Sequence, residues 1–208
     1  MIAIIGGTFD PIHFGHLRPA LDIAEQLALK EVRFIPSATP PHRWQPVAST
    51  EQRLAMVKLA VTDMPIFSVD DREYQREGAS YTVDTLKSIR DEIGSDESLC
   101  MIIGFDAFQS FTQWRDWKGI LKLTHLVVSS RPGYDQHEIE DWVKPYHCNN
   151  PKELNKKSSG LLYFANVTQL DISATFIREQ ISKGKSAQFL TSNTVNEYII
   201  RNKLYEIE

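Results

Sequence analysis

The sequence predicts an α/β fold, namely a Rossmann-like, doubly wound and mostly parallel sheet with helices on both faces and a short C-terminal helical part. Short apolar runs without alternation recur along the chain, as expected for parallel strands buried on both faces. Helical patterns fall between these runs, which is typical of βαβ units. The stretch "IIGGTFDPIHFGHL" (residues 4–17) joins the first run to the first helical pattern, where such sheets bind ligands.

Five strands are predicted, each a short segment rich in Val, Ile and Leu. The first four are uninterrupted apolar runs, and the fifth is a further strand that follows a polar stretch near the C-terminal end. The predicted strands are Ile2–Ile5, Val32–Ile35, Leu99–Ile103, Leu126–Val128 and Leu161–Val167.

Helices are predicted where apolar residues recur every three or four positions. Ser49 and Gln52 precede the second stripe at capping-box spacing, and Gly94 ends the third as a C-terminal cap. The polar segment Cys148–Gly160 lacks periodicity and is interpreted as a surface loop. The stripes run over Leu17–Leu27, Leu54–Val61 and Val83–Ile93, and short helices are predicted over Ser173–Ser182 and Thr194–Asn202.

Composition narrows the class of protein. The 208 residues are 42% hydrophobic and are interpreted as a single domain, 1–208. A net charge of −4 and the lack of a long basic block argue against a nucleic-acid partner. No eighteen apolar residues run together, so no membrane partner is expected. The apolar run Met1–Ile5 is too short for the h-region of a secretory leader, and the cytoplasm is the default location. Cys100 and Cys148 do not resemble a disulfide framework.

The opening stretch has the features of a phosphate-binding site. Gly6 and Gly7 follow the first strand, and residues without a Cβ atom let the backbone approach a ligand closely. Asp10-Pro11 forms a turn before a helix whose N-terminal amides attract anions. His13 and His16 are three residues apart, so that they lie on nearly the same face once the helix has begun.

Other phosphate and metal sites fit the stretch less well. A P-loop requires a lysine that is absent here, and the glycines stand at 6, 7 and 15, which does not match a dinucleotide fingerprint. No further histidine completes a zinc-ligand spacing, so no protein-held metal is predicted. The alternative interpretation is a plain βα turn with exposed histidines.

Two motifs together resemble the nucleotidyltransferase superfamily. The opening stretch is similar to its His-x-Gly-His signature, and "ISATFIR" (Ile172–Arg178) resembles its second motif. Ser173 and Thr175 suit a helix N-cap, and Arg178 stands one turn further on, where a guanidinium reaches the same phosphates. The resemblance implies that His13, His16 and Arg178 carry the chemistry.

Intermediate segments resemble one branch of that superfamily, the nicotinate-nucleotide adenylyltransferases. The resemblance implies transfer of the adenylyl group of ATP to nicotinate mononucleotide in NAD biosynthesis, with Mg²⁺ bound through the ATP phosphates. It leaves the oligomeric state open, a homo-oligomer included. The segments are "PPHRWQP" (40–46), "SYTVDTL" (80–86), "IIGFDAF" (102–108), "FTQW" (111–114) and "SSRPGY" (129–134).

The same resemblance assigns the two substrates to sets of residues. Trp114 stacks on the pyridine ring, the backbone around Thr82 and Arg115 holds its carboxylate, and Asp106 accepts ribose hydroxyls. Thr82 and Asp106 are alternatively helix N-caps, and Trp117 is interpreted as a core residue. The ATP set is Gly6, Gly7, Thr8, Phe9, His13, His16, Gly104, Asp106, Ser173, Thr175 and Arg178. The mononucleotide set is His42, Arg43, Thr82, Trp114, Arg115 and Arg131.

Three other functions compete with this assignment. One is a related adenylyl- or cytidylyltransferase that acts on pantetheine phosphate or a phosphorylated alcohol. Another is a nucleotide-binding module that has lost turnover, against which both histidines and Arg178 argue. The third is a fragment of a transfer-RNA synthetase, for which no Lys-rich second signature is present.

Overall fold

The computed structural model describes residues 1–39, 45–76, 78–130 and 140–206. Six strands lie within these ranges and pair in parallel in one sheet. The strands are β1 (Ile2–Gly7), β2 (Glu31–Pro36), β3 (Phe67–Val69), β4 (Leu99–Gly104), β5 (His125–Ser130) and β6 (Leu162–Asn166).

Helices connect the strands and close the chain. Within the described ranges, the 3₁₀-helices Phe111–Gln113 and Pro151–Lys156 add to the α-helices. No helix of the described ranges is both long and apolar enough to cross a membrane. The α-helices are α1 (Phe14–Gln26), α2 (Thr50–Val61), α3 (Thr82–Ile93), α4 (Phe105–Gln109), α5 (Trp117–Leu123), α6 (Ala174–Ser182) and α7 (Asn193–Arg201).

The sheet separates two hydrophobic cores, one on each face. Helices α1, α2 and α7 cover one face, whereas α3, α4 and α5 cover the other. Successive residues of a strand alternate between the two cores: Ala3 and Ile5 belong to the first, and Ile4 belongs to the second. Burial on both faces explains the uninterrupted apolar runs, and the predicted Rossmann-like fold is confirmed.

The strand order is β3-β2-β1-β4-β5-β6, so the direction of winding reverses between β1 and β4. In open α/β sheets, ligands bind in the crevice beyond the carboxyl ends of the strands at this switch point. Gly7 ends β1 beside Pro36 of β2, and Gly104 ends β4 beside Ser129 of β5. The topology therefore gathers the predicted glycine positions at one edge.

Local signals in the sequence set several helix ends. The Ser49–Gln52 capping box is present: the Gln52 N–H donates to Ser49 Oγ at 3.3 Å, and the Ser49 N–H donates to Gln52 Oε1 at 2.8 Å. Gly94 caps α3 with φ +83°, a backbone conformation that favours glycine. These two predictions are confirmed.

Two regions differ from the prediction. Strand β3 was not predicted, because its three residues, Phe67–Val69, are too few to show a pattern. The segment predicted as a plain loop contains the 3₁₀-helix Pro151–Lys156, which begins where Asn150 Oδ1 accepts the Lys152 N–H at 3.1 Å. Leu154 on this helix is fully buried and anchors it to the first core.

Candidate active site

Gly6 and Gly7 are the last two residues of β1, rather than residues after it as the sequence suggested. A Cβ atom added to Gly6 would meet nothing within 4 Å, so this backbone faces open space. One added to Gly7 would lie 2.9 Å from the Phe9 ring. The Phe9 ring is buried and requires a glycine at position 7, whereas Gly6 leaves room for a ligand.

The two histidines of the motif stack on each other at the start of α1. Their ring centroids are 3.8 Å apart with an interplanar angle of 31°. His13 is the N-cap residue, and its main-chain N–H donates to His16 Nδ1 at 3.3 Å. Because Nδ1 of His16 accepts this bond, the proton of a neutral His16 ring is on Nε2.

His13 and His16 differ in their environment. His13 is 4% exposed, and burial lowers its pKa to about 4. The imidazole is therefore neutral at pH 7 in the free protein. His16 is half-buried, and its ring packs edge-on against Phe9 at 5.1 Å.

The second motif meets the first at this edge of the sheet. Ser173 is the N-cap of α6, and its Oγ accepts the Phe176 N–H at 3.1 Å. Arg178 follows on the same helix and donates through Nη2 to Thr175 Oγ1 at 3.2 Å. Its Nη1 donates to the main-chain oxygen of Asp10 at 2.6 Å. The guanidinium from near the end of the chain therefore contacts the opening motif directly.

A glycine contact joins the two motifs a second time. A Cβ atom added to Gly15 would lie 2.9 Å from the main-chain oxygen of Ile172, the first residue of the second motif. It would also lie 2.9 Å from His13 Nδ1. Gly15 is thus the residue that lets α1 approach the second motif so closely.

Asp10 accepts hydrogen bonds from two distant parts of the chain, a role that the sequence did not predict. Its carboxylate is 5% exposed and accepts the N–H groups of Val47 and Ala48 at 2.8 and 3.1 Å. The hydroxyl of Tyr205, near the C-terminal end, donates to Oδ1 at 2.8 Å. Burial raises the pKa of Tyr205 above its ordinary range, so the phenol remains a donor. The Asp-Pro dipeptide indicated a turn, but no sequence signal indicated these partners.

The end of β4 supplies the neighbouring part of the crevice. Gly104 ends the strand and is also the N-cap of α4, and an added Cβ atom would meet open space. Asp106 lies exposed in the first turn of this helix. The alternative assignment of Asp106 as an N-cap is therefore wrong, since Gly104 fills that position.

Three residues of the predicted mononucleotide set lie near one another. Thr82 is the first residue of α3; its assignment as the N-cap is wrong, because Tyr81 occupies that position. The Arg115 guanidinium lies 4.4 Å from the centre of the Tyr81 ring. Trp114 is half-buried with its ring centroid 5.5 Å from that of Phe111. The segment carrying Trp114 and Arg115 therefore packs beside the N-terminus of α3.

The remaining residues are Trp117, which was interpreted as a core residue, and three members of the predicted mononucleotide set. Trp117 begins α5 and is half-buried, with its ring edge-on to Trp142 at 5.1 Å, in keeping with a packing role. His42, Arg43 and Arg131 lie outside the described residues.

The carboxylates around the crevice do not form a ready metal cage. Across residues 1–39, 45–76, 78–130 and 140–206, no three His, Cys, Asp or Glu side chains are grouped as metal ligands. Both carboxylate oxygens of Asp10 already accept hydrogen bonds.

Comparison with known proteins identifies the family. The model of the cytidylyltransferase-like family matches residues 4–180. A protein of Methylococcus capsulatus named "Probable nicotinate-nucleotide adenylyltransferase" is 46% identical over 209 aligned positions, which cover 99% of each chain. A Yersinia pestis protein of the same name is 42% identical over 99% of this chain and 95% of its own. This chain belongs to the nicotinate-nucleotide adenylyltransferase family.

Solved structures agree with this family at the level of the fold. The nicotinic acid mononucleotide adenylyltransferase of Plasmodium falciparum, complexed with NaAD, superposes with a TM-score of 0.73 at 18% identity. The alignment covers 98% of this chain and 96% of that one. The same protein complexed with APC gives a TM-score of 0.71. The relatives at 42% and 46% identity confirm the predicted resemblance of the sequence to the nicotinate-nucleotide adenylyltransferases.

Proposed function

We propose that this chain transfers the adenylyl group of ATP to nicotinate mononucleotide, forming nicotinate adenine dinucleotide and pyrophosphate. The observation that carries the proposal is the bond from Arg178 to the main-chain oxygen of Asp10, which unites the two motifs. Membership of the nicotinate-nucleotide adenylyltransferase family supports the same reaction.

The nucleophile is the 5′-phosphate of nicotinate mononucleotide. A phosphate monoester has a second pKa of about 6, so it is largely ionised at pH 7 and needs no general base. One of its oxygens forms a bond to the α-phosphorus of ATP, and the bond from that phosphorus to the bridging oxygen of the β-phosphate breaks. Pyrophosphate leaves with that electron pair. The protein must align the groups and neutralise the charge that develops.

Six side chains and a run of backbone are proposed to bind the triphosphate. His16 donates through Nε2, and Arg178 supplies a permanent positive charge. His13 is neutral in the free protein because its pKa is about 4, and it donates one ring N–H; nearby phosphates favour its protonation. The backbone of Gly7–Phe9 and the hydroxyls of Thr8, Ser173 and Thr175 complete the proposed site.

The residues fit a magnesium ion that arrives with the nucleotide. Both carboxylate oxygens of Asp10 already accept hydrogen bonds, from Val47, Ala48 and Tyr205, so Asp10 serves to hold the protein's own groups. We therefore propose that Mg²⁺ is held by ATP phosphates and water. When bound, the ion neutralises charge on the β- and γ-phosphates.

The nicotinate carboxylate is proposed to bind at the N-terminus of α3. The first amides of a helix have no partner inside it, and the N-cap Tyr81 supplies no side-chain acceptor. This end carries positive partial charge and favours a carboxylate over a neutral amide. Trp114 is proposed to stack on the pyridine ring and the backbone at Thr82 and Arg115 to hold the carboxylate. Gly104 and Asp106 are proposed to contact the ATP nucleoside.

Steady-state turnover with Mg-ATP and either nicotinate or nicotinamide mononucleotide tests the proposal. We expect pyrophosphate and nicotinate adenine dinucleotide in equal amounts. We also expect kcat/KM to be about tenfold higher for the acid, equivalent to about 1.4 kcal/mol at a helix N-terminus. Absence of the dinucleotide would refute the function. Equal kcat/KM values would refute the proposed carboxylate site alone.

A further inference from the structure

Arg53 joins the ends of two strands from the interior of the protein. It lies on α2 and is 1% exposed. Its Nη1 donates to the main-chain oxygens of Thr8 at 2.9 Å and Ser37 at 2.7 Å. Its Nη2 donates to that of Ala38 at 3.2 Å. One guanidinium thus binds the turn after β1 and the segment after β2 at once.

The form of the guanidinium matters for this contact. Its planar fork presents several N–H groups in fixed directions, whereas a lysine ammonium is a compact point charge on a flexible stem. Burying a cation is costly, and bonds from a charged donor to three carbonyl oxygens offset that cost. The sequence indicates that Arg53 is buried. It stands three and four residues before Met56 and Val57, so it lies on the same buried face of α2.

The two segments that Arg53 binds lead to different substrate subsites. Thr8 belongs to the turn proposed to bind ATP. Ala38 and Thr39 donate their N–H groups to Ser80 Oγ at 3.2 and 3.3 Å, and the Ser80 N–H donates back to the Thr39 oxygen at 3.0 Å. Ser80 directly precedes Tyr81, the N-cap of α3, where the mononucleotide carboxylate is proposed to bind. Arg53 therefore links the two subsites, in addition to the Ser37 N–H that donates to the Gly7 oxygen at 2.9 Å.

The contact with Thr8 also orients a backbone amide. The peptide bond between Thr8 and Phe9 is trans, so its C=O and N–H point to opposite sides. With the carbonyl oxygen fixed on Arg53, the Phe9 N–H points away from the guanidinium. Phe9 itself has φ +50°, a strained conformation for a residue with a side chain, so the turn needs a fixed support.

We propose that Arg53 is a positioning residue that sets the distance and orientation between the ATP turn and the mononucleotide subsite at α3. The inference rests on the proposed function for its catalytic consequence. In-line attack depends on this relative geometry, and a misplacement of about 1 Å can cost about 10²-fold in rate. Arg53 acts through Thr8 and Ala38 and touches neither substrate.

Arg90 provides a matched control. It donates to four main-chain oxygens, those of Gly94, Glu97, Leu123 and Ser158, at 2.7 to 3.0 Å. Glu97, Leu123 and Ser158 lie just before β4, β5 and β6, at the edge of the sheet opposite the crevice. Arg90 lies near the C-terminal end of α3, so Arg90→Met removes a comparable set of backbone contacts at the end of that helix away from the proposed carboxylate subsite.

The test compares Arg53→Met, Arg53→Lys and Arg90→Met. Arg53→Lys keeps the charge and is the variant to use at low temperature if Arg53→Met does not fold. We expect kcat per folded molecule to fall about tenfold to 10²-fold in both Arg53 variants. We expect Arg90→Met to keep kcat within about twofold, even where its Tm is equally lowered. Equal losses of kcat at positions 53 and 90, or full activity in Arg53→Lys, would overturn the inference.

Hydrogen exchange gives a readout that does not depend on turnover. In the Arg53 variants, amides of residues 7–9 and of 37–39 should exchange faster together, while Arg90→Met leaves both segments protected as in the wild type. Unchanged exchange in either segment would overturn the positioning role. If the wild-type chain makes no dinucleotide, the proposed function fails, and the exchange comparison still decides whether Arg53 couples the two segments.

Discussion

Replacement of His13 should remove an acid-sensitive contribution to folding stability. Burial lowers the pKa of this imidazole from 6.5 to about 4. At a pH between these two values, the unfolded chain binds the proton and the folded chain does not. The contribution of His13 to the free energy of unfolding is therefore complete above pH 6.5 and falls as the pH drops from 6.5 to 4. The whole difference is about 3 kcal/mol, because one pKa unit corresponds to about 1.4 kcal/mol.

Urea denaturation at pH 7.5 and pH 5 measures this effect. At pH 5 the unfolded imidazole is mostly protonated and the folded one mostly neutral, which gives a loss of about 2 kcal/mol relative to pH 7.5. Other groups also titrate over this pH range. They do so in the wild type and in His13→Asn alike, so their contributions cancel when the two proteins are compared. We therefore expect the wild type to lose about 2 kcal/mol more of its free energy of unfolding than His13→Asn does.

The comparison has a clear failing result. If wild type and His13→Asn lose the same free energy of unfolding between the two pH values, the imidazole is not held neutral by burial. His147→Asn, which removes a histidine away from the motif, controls for the loss of any one imidazole. Saturating ATP should reduce the acid loss in the wild type, because phosphates beside His13 favour its protonated form.

Three further predictions concern the site. Gly15→Ala should lower the free energy of unfolding by about 1–3 kcal/mol, since its Cβ atom would lie 2.9 Å from the Ile172 oxygen; the same shift should lower kcat about tenfold. His16→Ala should lower kcat about 10²-fold or more in a protein that keeps its fold, because it removes one donor to the transition state. Trp114→Ala should weaken mononucleotide binding by about 1–3 kcal/mol, measured by calorimetry, with little effect on ATP binding.

Each of these has its own control. His147→Ala should keep full turnover, and a His16→Ala variant equally active would exclude His16 from the chemistry. Trp114→Phe should retain most of the mononucleotide affinity, because a flat ring remains. Unaltered affinity in Trp114→Ala would mean that the pyridine ring binds elsewhere. A Gly15→Ala protein with normal stability and turnover would contradict the close contact of the two motifs.

Local patterns predicted the elements with strong periodicity and clear caps. Strand β4 and helix α3 follow from an apolar run and from a stripe ended by Gly94, because these signals depend only on neighbours in the chain. Strand β3 was not predicted, because its three residues are too few to show a pattern and it forms through pairing with β2. The observed N-caps lie one residue before the predicted Thr82 and two residues before the predicted Asp106, because helix ends are uncertain by one or two residues when judged from local sequence.

The fold class, the family and the two motifs could all be predicted from the amino-acid sequence, because apolar runs, helical stripes and residues at fixed spacing depend only on positions along the chain. The contacts between groups from distant parts of the chain could be identified in the folded structure alone. Folding brings Arg178 to the main-chain oxygen of Asp10 and places Arg53 between the ends of two strands. It also buries His13, which lowers the pKa of that imidazole to about 4. Burial, pKa and long-range hydrogen bonds arise from packing between distant segments, and packing exists only once the chain has folded.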